Sequence, residues 1–198
     1  LDNDGFLDIY LATGDPSYET LMPNVMLRND GGRRFENVTT SGGFGHLQKG
    51  HGVAFADIDN DGDQDIYHQL GGFYPGDHFH NALFLNPGHG HRYLYISLVG
   101  TKTNRAGYGA RIDVRVKTPN GPRRIHRAVG SVSSFGGSPA RQEIGLGDAT
   151  AIESLEIWWP TSNTRQVFEN VPLDSWITVT EGQDAFVERQ LVRVDMTG

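Results

Sequence analysis

The 198-residue chain is acidic, with 24 Asp and Glu against 17 Lys and Arg and a formal net charge of −7, and it has no cysteine. This excludes disulfides and thiolate metal sites and argues against a nucleic-acid binder, which needs a basic face to follow the phosphates. With 26 glycines, 9 prolines and 37% hydrophobic residues, the composition suits short strands and tight turns rather than a helical bundle, and no apolar run is long enough to span a membrane.

The chain opens at Leu1 without an initiator methionine, so it reads as a fragment and says nothing about a leader. The first predicted strands cover 8–12, 24–28 and 35–38, separated by glycine- and proline-bearing loops and an Asn-x-Gly turn near Asn29. Strands follow at 52–56, 65–70 and 82–85. Sliding the sequence by 57 positions lays Asp2-Asn3-Asp4-Gly5 on Asp59-Asn60-Asp61-Gly62 and Asp8-Ile9-Tyr10 on Asp65-Ile66-Tyr67. Asn24, Asn29 and Gly31 then meet Asn81, Asn86 and Gly88. A repeat of this length points to stacked blades, with four short strands expected per unit.

The segment from Asp57 to Asp65 places carboxylates at alternate positions: Asp57, Asp59, Asp61, Asp63 and Asp65. Calcium takes six to eight hard oxygen ligands from a curled loop, and Gly62 permits the sharp turn. Side-chain ligation is expected from Asp57, Asp59, Asp61 and Asp65, with Asp63 giving its main-chain carbonyl. An EF-hand would need a glutamate at position twelve and flanking helices. His68 stands there, between strand-like flanks. Without a cation, aspartates at this density repel one another with nothing to offset them. The first copy retains Asp2, Asp4, the Phe6 carbonyl and Asp8 as a second, truncated calcium site.

Beyond about residue 91 the texture changes to alternating strands at 93–99, 110–117, 124–129, 142–146, 154–159 and 176–180, the pattern of a β-sandwich. The expected division is 1–91 for the repeats, 92–182 for the sandwich and 183–198 for a tail.

The stretch Phe55-Ala56-Asp57-Ile58-Asp59-Asn60-Asp61-Gly62-Asp63-Gln64-Asp65-Ile66 resembles the FG-GAP or VCBS calcium repeat of integrin-α-type propellers. The segments Asn104-Arg105-Ala106-Gly107-Tyr108-Gly109-Ala110-Arg111-Ile112, Gly145-Leu146-Gly147 and Trp158-Trp159-Pro160 resemble the ASPIC/UnbV domain, and the whole is similar to the cartilage acidic protein family. The resemblance implies an all-β chain, a partial β-propeller followed by a β-sandwich-like domain. It also implies an extracellular or cell-envelope location. Where the family continues Trp-Pro with Ser-Gly, this chain has Thr161-Ser162-Asn163, and Asn tolerates the positive φ such a turn requires.

Other residues offer rival chemistry. His51, His68, Asp77, His78 and His80 form a candidate second metal or ligand pocket. Arg123, Arg124, His126 and Arg127 read as a solvated strand edge or a patch for an anionic partner. Trp158 and Trp159 must face opposite ways on a strand, one toward the core and one available to stack on a sugar. Ser131, Ser133, Ser134 and Ser138 assemble no triad. The expected function is a calcium-stabilised, non-catalytic binding or adhesion module for a protein or glycan ligand, open to self-association through its unclosed propeller edge. The alternatives are an enzyme or accessory protein of natural-product biosynthesis using the histidines, and a carbohydrate-binding module.

Overall fold

The computed structural model describes the chain apart from residues 16, 18, 73, 77–78, 131–134 and 197–198. Among the described residues the chain is all-β, with no helix and four sheets. The first sheet joins β1 (Ile9–Leu11), β2 (Val25–Asp30) and β3 (Arg34–Asn37), and the second joins β4 (Gly50–Ala56), β5 (Asp65–Leu70) and β6 (Ala82–Phe84). Both are antiparallel. They pack face to face through Tyr10, Met26, Phe44 and Ile66, with Val53, Phe55 and Phe84 against this cluster.

The four strands expected between the two acidic loops are present as β1 to β4, but β4 pairs into the second sheet, so each sheet holds three. The repeat shows why the second sheet stops at three. One repeat length after β3 the chain reaches 91–94, where β7 (Arg92–Val99) begins. That strand pairs with β10 (Gln142–Gly147) and β13 (Ser175–Thr180) instead of with β6. The residues that would complete the blade are drawn into the sandwich.

The sandwich stacks sheet β10-β7-β13-β14, with β14 at Phe186–Arg189, on sheet β12-β11-β8-β9. Its second sheet comprises β8 (Arg111–Thr118), β9 (Gly121–Ala128), β11 (Ala151–Trp159) and β12 (Thr164–Phe168). β8 shows why it forms: Ile112, Val114 and Val116 are buried while Arg111, Arg115 and Lys117 face outward. In β11 a bulge between Ile152 and Ser154 shifts the phase, so that Ile152, Leu155, Ile157 and Trp159 all reach the core. Two strands were not expected from the sequence, β12 and β14, the latter inside the stretch read as tail. At the altered Trp-Pro turn, Asn163 adopts φ 53 and accepts the Trp158 indole N–H at 3.1 Å. Trp159 is fully buried.

A buried carboxylate holds this domain's turns together. Glu181 follows β13 and accepts the N–H groups of Thr101, Lys102 and Thr103 at 2.8 Å each, the Thr103 hydroxyl at 2.9 Å and the Ser162 hydroxyl at 2.5 Å. Burial alone would raise its pKa. The Ser162 hydroxyl and the three N–H groups outweigh it and bring the pKa down to about 2. Glu181 therefore stabilises the fold fully above the ordinary glutamate range, and loses that contribution as pH falls toward about 2. Glu181→Gln should cost about 2 kcal/mol at neutral pH, the scale of hydrogen bonds to a charged group. Urea unfolding of both proteins across pH checks this, and the gap should close in acid.

Candidate metal centre

The loop between β4 and β5 is curled by its own carboxylates. Asp57 Oδ1 accepts the Asp61 N–H and Asp57 Oδ2 the Gly62 N–H, both at 3.0 Å. Asp59 Oδ1 also accepts the Asp61 N–H at 3.2 Å, and Asp61 Oδ1 the Asp63 N–H at 3.0 Å. These side-chain-to-backbone rings bend the chain at each step. Asn60 at φ 60 and Gly62 at φ 104 take the left-handed conformations the curl needs. A Cβ on Gly62 would also collide with the Tyr93 ring.

The result gathers oxygens. One carboxylate oxygen from each of Asp57, Asp59 and Asp61 lies within 4.8 Å of the others. Two oxygens on one calcium, each bound at 2.3–2.6 Å, stand at most about 5 Å apart, so the spacing and the hard donor set both fit that ion. Asp65 closes the loop by accepting the Ile58 N–H at 2.9 Å and the Asn86 N–H at 2.8 Å, and each of its oxygens keeps a second lone pair. Asp63 is different. Its Oδ1 accepts the Asn3 side-chain amide at 2.8 Å, and its carboxylate is not among the convergent oxygens of Asp57, Asp59 and Asp61.

The first loop repeats this wiring one repeat length earlier. Asp2 Oδ1 accepts the Asp4 N–H at 3.2 Å, Asp4 Oδ1 the Phe6 N–H at 2.8 Å and Asp8 Oδ1 the Asn29 N–H at 2.8 Å. Asn3 and Gly5 match Asn60 and Gly62 with φ 57 and φ 89.

The sandwich grips the second loop. The Tyr95 hydroxyl of β7 donates to Asp57 Oδ2 at 2.8 Å. Glu143 of β10 accepts the Asp57 N–H at 3.0 Å and the Gln64 amide at 3.1 Å. Arg141 pairs with Glu143 at 2.6 Å, donates to the Asp57 carbonyl at 3.3 Å and lies 4.7 Å over the Tyr95 ring. From the other side the C-terminal segment crosses the loop. The Val194 N–H reaches the Asp59 carbonyl at 2.7 Å, and Arg193 stands 3.3 Å from Asp61 Oδ2.

Two known families match separate stretches of the chain. Residues 1–68 match the FG-GAP-like repeat and residues 100–185 match ASPIC and UnbV. The chain carries an FG-GAP-like repeat and an ASPIC/UnbV domain. No curated protein matches it significantly. The acidic loop lies within the FG-GAP-like match. Of its clasp, Arg141 and Glu143 belong to the ASPIC/UnbV domain, while Tyr95 falls between the two matches.

The two loops of the FG-GAP-like part differ in charge. Asp2 pairs with Arg28 at 3.0 Å. Two arginines of the expected solvated edge, Arg123 and Arg127, instead donate to the Asp4 and Gly5 carbonyls, and Arg123 also covers the Phe6 ring at 5.0 Å. Alternation along β9 puts both on the face that meets the loop. Arg124 and His126 pair with Asp113 on the other face. Asp2, Asp4, Phe6 and Asp8 are thus engaged by protein cations and donors, and Asp2 titrates low. Burial would raise it, but the Asp4 N–H and Arg28 prevail.

The histidine pocket does not assemble among the described residues. His68 is fully buried because β5 alternation turns it inward, its Nδ1 3.1 Å from the Tyr10 hydroxyl. Burial, with the nearby His46 and His51, lowers its pKa to about 4, so it is a neutral core residue. His51 is exposed and bonded to the Gly71 carbonyl at 2.7 Å, and His80 is exposed. Asp77 and His78 lie outside the described residues. Among the described residues, the group with metal-ligand spacing is Asp57, Asp59 and Asp61.

Without a cation this loop is electrostatically loaded. Burial and then the neighbouring carboxylates raise the pKa of Asp59, and burial with Asp61 raises that of Asp63. Asp65 is also raised by burial, against its N–H donors. A carboxylate that titrates higher when folded favours folding while protonated and opposes it once pH rises through the folded pKa. In EDTA, Asp59→Asn should therefore melt above the unsubstituted chain at neutral pH, and the difference should shrink toward about pH 4, where free aspartate is itself half protonated. Thermal melts in both buffers check the sign.

Proposed function

We propose that this chain is a calcium-stabilised, non-catalytic binding module that works outside the cytoplasm. The observation that carries the reading is the convergence of Asp57, Asp59 and Asp61 oxygens within 4.8 Å, in a loop whose backbone is already fixed by its own side chains. Such a site needs little rearrangement to accept an ion. Calcium loops of modest affinity fill at extracellular millimolar levels, and an ion bound only by the folded state stabilises it by mass action. Both matched families fit a binding module rather than an enzyme at this coarse level. Among the described residues, no helix is long and apolar enough to cross a membrane.

Calcium here is structural. It offsets the charge on the loop and, through Tyr95, Glu143 and Arg141, holds the blade sheet to the sandwich. The ligand is a protein or a glycan. For the glycan case Trp158 is the side chain on offer, although Arg165 already covers its ring at 5.8 Å. Millimolar calcium should raise the melting temperature by several degrees, the shift expected of about 1–3 kcal/mol in a chain of this size, and EDTA should reverse it. Asp57→Asn and Asp59→Asn should each weaken calcium at least tenfold by isothermal titration. A melt indifferent to calcium would exclude the reading.

A further inference from the structure

The outer face of the sandwich is basic at one end, in a chain whose net charge is −7. Alternation along β8 and β11 buries Ile112 and Ile157 and turns Arg111, Asp113, Glu156 and Trp158 outward. Register sets Trp158 between Arg111 on β8 and Arg165 on β12, and Glu156 beside Asp113. With Arg124 and Arg127 of β9 these side chains line an open depression of about 410 Å³, where four arginines meet two carboxylates. All of them lie between residues 111 and 165, within the ASPIC/UnbV match and outside the repeats.

The two carboxylates are already taken. Asp113 pairs with Arg124 at 2.6 Å and with His126 at 2.8 Å, and Glu156 pairs with Arg165. Arg127 donates to the Gly5 carbonyl at 3.3 Å. Among the described residues the Arg111 guanidinium is left without an ion-pair or hydrogen-bond partner. Its cross-strand neighbour Trp158 is held in place, its indole N–H on Asn163 Oδ1 at 3.1 Å and Arg165 at 5.8 Å from its ring. A fixed aromatic ring and an unpaired guanidinium thus stand on adjacent antiparallel strands, with backbones about 5 Å apart.

We propose that this face binds an acidic polysaccharide, one uronate ring lying on Trp158 with its carboxylate on Arg111. A uronate carries its carboxylate at the edge of the sugar ring, so the apolar ring face and the charge reach neighbouring strands together. The planar guanidinium takes a carboxylate through two parallel N–H···O bonds, and the local excess of arginine draws a polyanion to an otherwise acidic protein. An acidic peptide would instead anchor in an apolar pocket or along a free strand edge. This surface is the polar face of a sheet and offers neither. The inference rests on the reading of the chain as a binding module and narrows its ligand, but it does not depend on calcium, since Arg111 and Trp158 lie outside both acidic loops.

Isothermal titration with a short oligogalacturonate at low salt, calcium being matched in cell and syringe, tests it. Arg111→Gln and Trp158→Ala should each weaken binding roughly tenfold, the scale of one charge-assisted contact, with circular dichroism unchanged. Added salt should weaken it further. Arg189→Gln removes an exposed cation from the outer face of the other sheet and should leave binding as it was. The methyl-esterified oligomer should bind roughly tenfold more weakly, because an ester cannot pair with the guanidinium as a carboxylate does, and poly-glutamate should not compete. An absence of binding overturns the inference even where the melt responds to calcium, whereas a melt indifferent to calcium leaves it standing if the oligomer binds. Equal binding of the esterified oligomer, competition by poly-glutamate, or an equal loss in Arg189→Gln would also overturn it.

Discussion

Asp57 is the residue on which the two halves of the molecule meet. Its side chain curls the acidic loop by accepting the Asp61 and Gly62 N–H groups. The same side chain accepts the Tyr95 hydroxyl, and its backbone is held by Glu143 and Arg141. It is almost wholly buried. A carboxylate taken out of water needs several donors or a cation to hold its charge, and here both the loop and the sandwich supply donors. The shape of the loop and its attachment to the sandwich thus depend on one charged group.

The two acidic loops show how similar backbones reach different charge states. Both are bent by aspartates accepting N–H groups two residues on, and both are closed by a carboxylate, Asp8 or Asp65, that accepts the N–H of Asn29 or Asn86. Around the first loop the protein brings Arg28, Arg123 and Arg127. Around the second, Arg141 is matched by Glu143, and among the described residues the arginine that pairs with a loop carboxylate is the exposed Arg193. The excess negative charge remains at 57–65, so that loop gains most from a divalent ion.

Local chemistry was legible in the sequence, while long-range partnership was not. The repeat offset correctly aligned β1 with β5 and β2 with β6, because each short strand follows its own acidic turn. It does not reveal sheet membership, since no local signal says that the strand beginning at Arg92 pairs with β10 and β13. β12 was overlooked because Thr164–Phe168 is too short and polar to stand out, although Asn163 marked the turn before it. Tyr95, Arg141, Glu143 and Glu181 were missed because their partners lie far along the chain. A tyrosine in the apolar run of β7 was a weak pointer, as a buried hydroxyl seeks an acceptor. The histidines misled in the opposite way. Their clustering suggested a site, but β5 alternation commits His68 to the core.

In this chain the sandwich acts as a clamp for loops that belong to the repeats, and the ion is expected to complete the clamp rather than perform chemistry. The most direct test is an experimental structure grown in excess calcium, with anomalous scattering recorded. A bound calcium should give one strong peak about 2.4 Å from oxygens of Asp57, Asp59 and Asp61, with the Tyr95 and Glu143 contacts retained. A clear map showing those three carboxylates around water alone would contradict it.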